Sequence, residues 1–412
     1  MIIKLNSKNL FFLALASLLF VDIGFLISGY KITLALLFFL LSFFFMRLSI
    51  KSLILVGFYF VATIISSFSQ IGTLMLVKIF LVCFMMASIS SGIHFKIDKL
   101  DKDYLIIYFE RIFQLVFALV LVEFLIANIF GISIYNPSRL DVTYGSFVRP
   151  FFLFTEPSIL SIYAVFSFVV FDLLEKSASY KRSHALSKIF CVLIVLFTVS
   201  LTGILMLLAH HAVYLMRFIF YNLNFKNLFI ILFRLLLITF FGLIVFLIFP
   251  EVFDKLYSRL VDIINVSSSL SQLNLNAVNL NSSVGYRLLT VFSIFDYAND
   301  GSYFKIFFGE GFLNFNSWII DRYAFFVGDG TIIEDGDVTN LLAVIFLSGG
   351  IIGTLLFGLY IVSLLNKVSL DNKAFLLVFI FCFMLVYGAI TEPHLFIFIF
   401  IFMTLFNKKN AF

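Results

Sequence analysis

From Leu10 to Phe406 the sequence is a succession of apolar runs separated by polar breaks. A helix needs roughly 20 apolar residues to cross the hydrocarbon core of a bilayer. Within that core every backbone N–H and C=O must be satisfied by the segment itself or by a closed barrel. Repeated long runs without strand-like alternation leave one fold class. The chain reads as a single all-α polytopic membrane domain over residues 1–412. Charged residues are 12% of the chain, against about 25% in a soluble domain, so no soluble core accommodates this sequence. The 60 phenylalanines read as lipid-facing bulk and give no support to base stacking or a cofactor role.

The spans read as Leu10–Ser28, Ile32–Met46, Leu53–Ser67, Thr73–Gly92, Ile112–Phe130, Ser158–Leu174, Ile189–Ser200, Ile204–Met216, Leu235–Phe249, Asn340–Leu365, Ala374–Ile390 and Leu395–Phe406. That is about twelve transmembrane helices. Lys4 and Lys8 precede the first run, but no small-residue cleavage site follows it. The segment therefore reads as a retained helix, not a signal peptide. With the N-terminus inside, the inner connections hold nineteen of the 28 basic residues, the outer ones eight, and Lys78 lies within a span. This asymmetry follows the positive-inside rule and places both termini in the cytoplasm. Cys83, Cys191 and Cys382 fall inside apolar runs and form no disulfide framework.

Two outer segments are large. The first is residues 131–157, and the second, residues 250–339, is a late outer loop expected to contain short helices. In the second, Phe253, Leu256, Tyr257, Leu260, Val261 and Ile264 recur at helical spacing. A further helix is expected from about Ser283 to about Asp296, with Arg287 in its first turn. Arginine makes up five of the eight outer basic residues but five of the nineteen inner ones. Its planar fork of donors suits phosphate better than the point charge of lysine.

Three stretches carry chemistry. Arg149-Pro150-Phe151-Phe152-Leu153-Phe154-Thr155-Glu156-Pro157-Ser158 is either a capped helix entry, with Pro157 at its first position, or an arginine and a carboxylate facing an outer cleft. Arg287 is either a solvated surface arginine or a phosphate ligand whose charge adds to the free N–H groups of a helix start. Asp335-Gly336-Asp337-Val338-Thr339-Asn340 either caps the following helix or supplies a carboxylate base. Gly349, Gly350 and Gly353 in that helix read as close-packing positions. Arg139, Arg259, Arg322 and Glu392 are weaker candidates. The sequence has no phosphate-binding loop, dinucleotide fingerprint or paired-histidine metalloprotease motif. Only His394 of the five histidines is expected outside, which leaves no histidine metal site there. No basic stripe with exposed aromatics points to nucleic acid.

Taken together, these features resemble the bacterial O-antigen polymerases, within a superfamily that includes the O-antigen ligases. The resemblance covers most of the chain, chiefly through layout. It rests on Arg149…Glu156-Pro157-Ser158, the turn Ser200-Leu201-Thr202-Gly203, and the late outer loop with Arg287 and Phe307-Phe308-Gly309-Glu310-Gly311-Phe312. Asn340 then stands ten residues before Gly350-Ile351-Ile352-Gly353. It implies a glycosyltransferase of the inner membrane, working at its outer face without cofactor or metal on glycans carried by undecaprenyl pyrophosphate. Membrane lipids, a chain-length regulator and a flippase are the implied partners. Arg149, Arg287 and Arg139 would hold the pyrophosphate, and Asp337 or Glu156 would take the acceptor's proton. Ligases commonly carry histidine just before the asparagine that here is Asn340. This chain has Thr339 there, which favours polymerase over ligase. The rivals are a ligase, a lipid-linked oligosaccharide flippase or transporter, and a non-catalytic scaffold. Few mid-span charges (Asp22, Lys78, Glu123 and Asp172) speak against a transporter.

Overall fold

The structure is a computed structural model. It describes residues 7–19, 24–27, 30–33, 38, 50–66, 83, 99–132, 143–144, 147–151, 154, 156–176, 183–221, 283–300, 302–311, 318, 340–386 and 394–406, and single positions between 229 and 264. The described chain is mostly helical. In order it runs α1 (Ser7–Leu19), a hairpin β1 (Gly24–Ile27) and β2 (Tyr30–Thr33), α2 (Ile50–Ser66), α3 (Lys99–Ile129), a hairpin β3 (Thr143–Tyr144) and β4 (Phe147–Val148), α4 (Pro157–Lys176), α5 (Ala185–Thr198), α6 (Leu201–Tyr221), α7 (Ser283–Asp300), α8 (Tyr303–Phe308), α9 (Leu341–Leu365), α10 (Leu370–Val386) and α11 (His394–Phe406). Among the described residues, three stretches are long and apolar enough to cross a membrane: Asp103–Ile129, Pro157–Lys176 and Leu341–Leu365. Several shorter apolar helices surround them.

Helix α4 is the axis of the fold. It is apolar on every side and buried almost throughout, as a helix at the centre of a bundle must be. It packs against α5, α6 and α10, and Phe166 alone meets Phe109 of α3, Phe379 of α10 and Phe398 of α11. Ser161 of α4 and Gly203 of α6 allow the closest approach. A Cβ on Gly203 would lie 2.7 Å from the Ser161 side chain, the small-on-small contact that lets membrane helices touch through their backbones. A second group is formed by α2, α7, α8 and α9.

The structure departs from the sequence reading at α1 and at α3, and follows it at α7 and around Pro250. The apolar run Leu10–Ser28 is not one helix, because α1 ends at Leu19 and Gly24–Ile27 pairs antiparallel with Tyr30–Thr33. Helix α3 begins at Lys99, thirteen residues before the expected span, so a charged segment read as a connection is helical. Helix α7 matches the expected start and runs four residues further, to Asp300. The described positions between 229 and 264 are helical on both sides of Pro250. The expected spans Ile32–Met46 and Thr73–Gly92 lie almost wholly outside the described residues.

Candidate functional site

The first constellation is built where α3, α4, α5 and α6 come together. The short hairpin β3–β4 is held to α3 by one side chain. The Asn128 amide donates to the carbonyl of Val148 (2.8 Å), and its oxygen accepts the Val148 N–H (2.7 Å). A buried strand end thereby has both its backbone groups satisfied. The next residue is Arg149, only 4% exposed. Its Nε donates to the carbonyl of Thr198, the last residue of α5, at 2.6 Å. The chain then passes Glu123 of α3, whose carboxylate accepts the Phe151 N–H at 3.4 Å, and enters α4 at Pro157.

The α5–α6 turn that receives Arg149 is strained. Val199 has φ 44° and ψ 44°, a left-handed conformation that costs a β-branched residue on the order of 1–3 kcal/mol. Such strain persists only where surrounding contacts hold it, and Val199 and Ser200 are buried. Glu156 is exposed and accepts a hydrogen bond from Ser158 Oγ at 2.8 Å. Arg149 thus ties the segment that leads to Glu156 and α4 to the strained α5–α6 turn.

The second constellation is the junction of α8 with α9. Helix α9 is broken at Gly350, which has φ 61° and ψ −159°, a region open essentially to glycine alone. Gly309, with φ 78°, caps α8. The two glycines clasp backbone to backbone. A Cβ on Gly309 would lie 2.5 Å from the Ser348 carbonyl group, and one on Gly350 would lie 2.5 Å from that of Phe307. The Glu310 N–H donates to the Leu347 carbonyl at 2.8 Å, which satisfies an acceptor that the break would otherwise leave open. The Glu310 carboxylate is paired with Lys305 at 2.8 Å. Tyr297 of α7 donates to the Lys305 carbonyl at 3.2 Å. Burial, and after it the charge of Glu310, hold the Tyr297 phenol well above its ordinary pKa, so it remains a neutral donor. Asn340, fully buried, caps α9 by accepting from the N–H groups of Leu342 and Ala343, and its amide donates to Leu385 of α10. The N-cap is thus Asn340.

A third set of polar side chains lies at the opposite end of α4. Asp172, with no exposure, accepts from Tyr214 of α6 and lies 3.2 Å from Lys176, 3.3 Å from His210 and 3.6 Å from Lys188. Lys188 also pairs with Glu175. Glu110 of α3 accepts from Ser187 at 2.9 Å and contacts His184 at 3.0 Å. Four helices are tied together by this network.

Arg287 is the fifth residue of α7. Arg139 and Asp337 lie outside the described residues. The structure joins Arg149 to Thr198 at the end of α5, two residues before Ser200, and the Phe307–Glu310 segment to the break in α9. Sequence reasoning named Glu310 only within the Phe307–Phe312 segment and Asp172 only as a mid-span charge, and gave neither a partner. An acid between two glycines was the available signal for Glu310. Among the described residues no three His, Cys, Asp or Glu side chains are grouped as a metal ion would need. No family model, curated protein or solved structure matches this chain.

Proposed function

We propose that this chain is a polysaccharide polymerase of the bacterial inner membrane, an O-antigen polymerase or one acting on a related surface glycan. It has about twelve spans, both termini in the cytoplasm and its site at the outer face. It moves a growing glycan from undecaprenyl pyrophosphate onto a fresh lipid-linked repeat unit. The observation that carries this reading is structural interlock. The segments on which the resemblance rests are drawn together in space: Arg149 bonds Thr198, two residues before Ser200, and Phe307–Glu310 sits against Leu347–Gly350, although each pair is separated by dozens of residues.

In this mechanism the acceptor hydroxyl attacks the anomeric carbon of the donor, and the bond from that carbon to pyrophosphate breaks. The growing negative charge on the leaving pyrophosphate is met by the guanidinium groups of Arg149, Arg287 and Arg139. The hydroxyl proton passes to a carboxylate, Asp337 or Glu156. Glu156 stands at the start of α4, beside the positive end of its dipole, and is exposed enough to meet a head group. The lipid tails remain in the bilayer, so catalysis reduces to aligning two head groups. Thr339 in place of the ligase histidine favours polymerase over ligase.

A deletion strain tests this. The reading predicts lipid A core capped with a single repeat unit, because a ligase still works on monomers. Bare core with polymer accumulating on the carrier lipid would identify a ligase instead. A second reading, an ion-coupled flippase of the lipid-linked unit, draws support from the buried Asp172, Lys188 and His210 network, since intramembrane ionisable groups often mark transport paths. Its deletion would stop repeat units from reaching the outer face.

A further inference from the structure

The α8 segment is placed at an unexpected depth. Tyr59 is the tenth of the 17 residues of α2, so it stands about 14 Å from one end of that helix and about 10 Å from the other. Its ring lies 3.5 Å from where a Cβ on Gly349 would be, and 3.4 Å from that position on Gly353. The break in α9 is therefore level with the middle of α2. Gly309 and Glu310 sit directly on that break, and α8 also touches α2. A segment expected in an outer loop thus reaches the mid-depth of two apolar helices.

Helix α8 also turns apolar rings outward. Tyr303 is 85% exposed, Phe304 55% and Phe307 47%. The same helix group exposes Ile54, Phe58 and Val61 on α2, and Leu355, Leu359 and Val362 on α9. On apolar helices of this kind such residues face acyl chains. Irregular backbone at membrane depth survives only where protein covers it, and Gly309, Glu310 and Gly311 are buried. A charged group there needs a partner, and Glu310 has Lys305. Lys305 itself is half-exposed, and its long stem allows the ammonium to reach toward the surface.

We infer that Ser302–Gly311 is a re-entrant segment: it dips into the membrane, seats its buried glycines on the break in α9, and presents Tyr303, Phe304 and Phe307 to the acyl chains of the bilayer. This does not depend on the enzymatic reading; it needs only a membrane-embedded chain.

Tryptophan quenching tests it in the full-length protein reconstituted in phosphatidylcholine vesicles. The chain has a single tryptophan, so Trp318→Phe gives a dark background that keeps an aromatic ring against Tyr297. Phe304→Trp, Phe307→Trp and Tyr303→Trp are then introduced one at a time. Phe58→Trp on α2 serves as the lipid-facing reference and Ser183→Trp, between α4 and α5, as the water-facing one. The inference expects acyl-chain-brominated lipid to remove as much fluorescence from the α8 variants as from Phe58→Trp, and iodide on both sides to remove little. Iodide quenching like that of Ser183→Trp would overturn it by placing α8 in water. Quenching by neither agent would overturn it too, because protein, not lipid, would then cover the rings. Three positions guard against one variant failing to fold, and each is read only from monodisperse protein.

Discussion

Gly350→Ala is the sharpest test of the α8–α9 clasp. Two costs act together. The backbone at φ 61° and ψ −159° excludes a Cβ at about 1–3 kcal/mol. The new methyl would also fall 2.5 Å from the carbonyl group of Phe307. That group is backbone, so relief requires pulling α8 away from α9, at a further cost of about 1–3 kcal/mol by analogy with overpacked cores. The sum is on the order of 2–6 kcal/mol, a large part of a typical domain's stability. Gly358→Ala is the matched control in the same helix, since nothing lies within 4 Å of its added Cβ. Helix propensity there makes alanine neutral or favourable by up to about 1 kcal/mol. Thermal unfolding of both variants in detergent, followed by size-exclusion fluorescence, should show a clear drop in midpoint for Gly350→Ala and none for Gly358→Ala. Equal midpoints would refute the break at Gly350 and the contact built on it.

Other expectations follow from the remaining constellations. Arg149→Ala should abolish polymer at normal protein levels, with Arg149→Lys restoring it only in part because lysine lacks the planar fork; glycan gels beside immunoblots read this. Asp172→Asn should lower the unfolding midpoint, since breaking one partner out of a buried charged pair costs about 3–5 kcal/mol, and Tyr214→Phe should lower it less, by about 1–3 kcal/mol. Reporter fusions at Ser179 and Asn281 should report cytoplasm and periplasm respectively, as the basic asymmetry requires; the reverse pattern would move the proposed site to the wrong face.

Much of the helical framework was legible in the sequence, because long apolar runs bounded by polar residues define themselves. Helix α9 was expected over Asn340–Leu365 and is found over Leu341–Leu365, with Asn340 as its cap. Pro157 does open α4. The failures have physical causes. A purely apolar run does not distinguish a helix from a short hairpin, so Gly24–Thr33 was read as membrane span and connection. Charges at Lys99, Lys102 and Arg111 suggested a connection, yet a helix can carry charged residues on turns that extend beyond its apolar stretch. The glycines of α9 were read as close-packing sites. Gly349 and Gly353 do meet Tyr59, but Gly350 breaks the helix, and composition does not separate these roles. The site was less legible than the fold. Arg149 was singled out by its neighbours in sequence. Its partner Thr198, 49 residues away, and the grouping of Asp172 with Lys188, His210 and Tyr214, come from tertiary packing that no local pattern encodes.

The central claim is polymerisation of lipid-linked repeat units, and the most direct measurement is reconstitution. Purified protein in vesicles is supplied only with undecaprenyl-pyrophosphate-linked repeat units, and the carrier-linked glycans are resolved by length. The account predicts a ladder of longer carrier-linked glycans, with one undecaprenyl pyrophosphate released per unit added. Glycans that stay at one repeat unit, whether unchanged, moved across the membrane or transferred to added lipid A core, would contradict it.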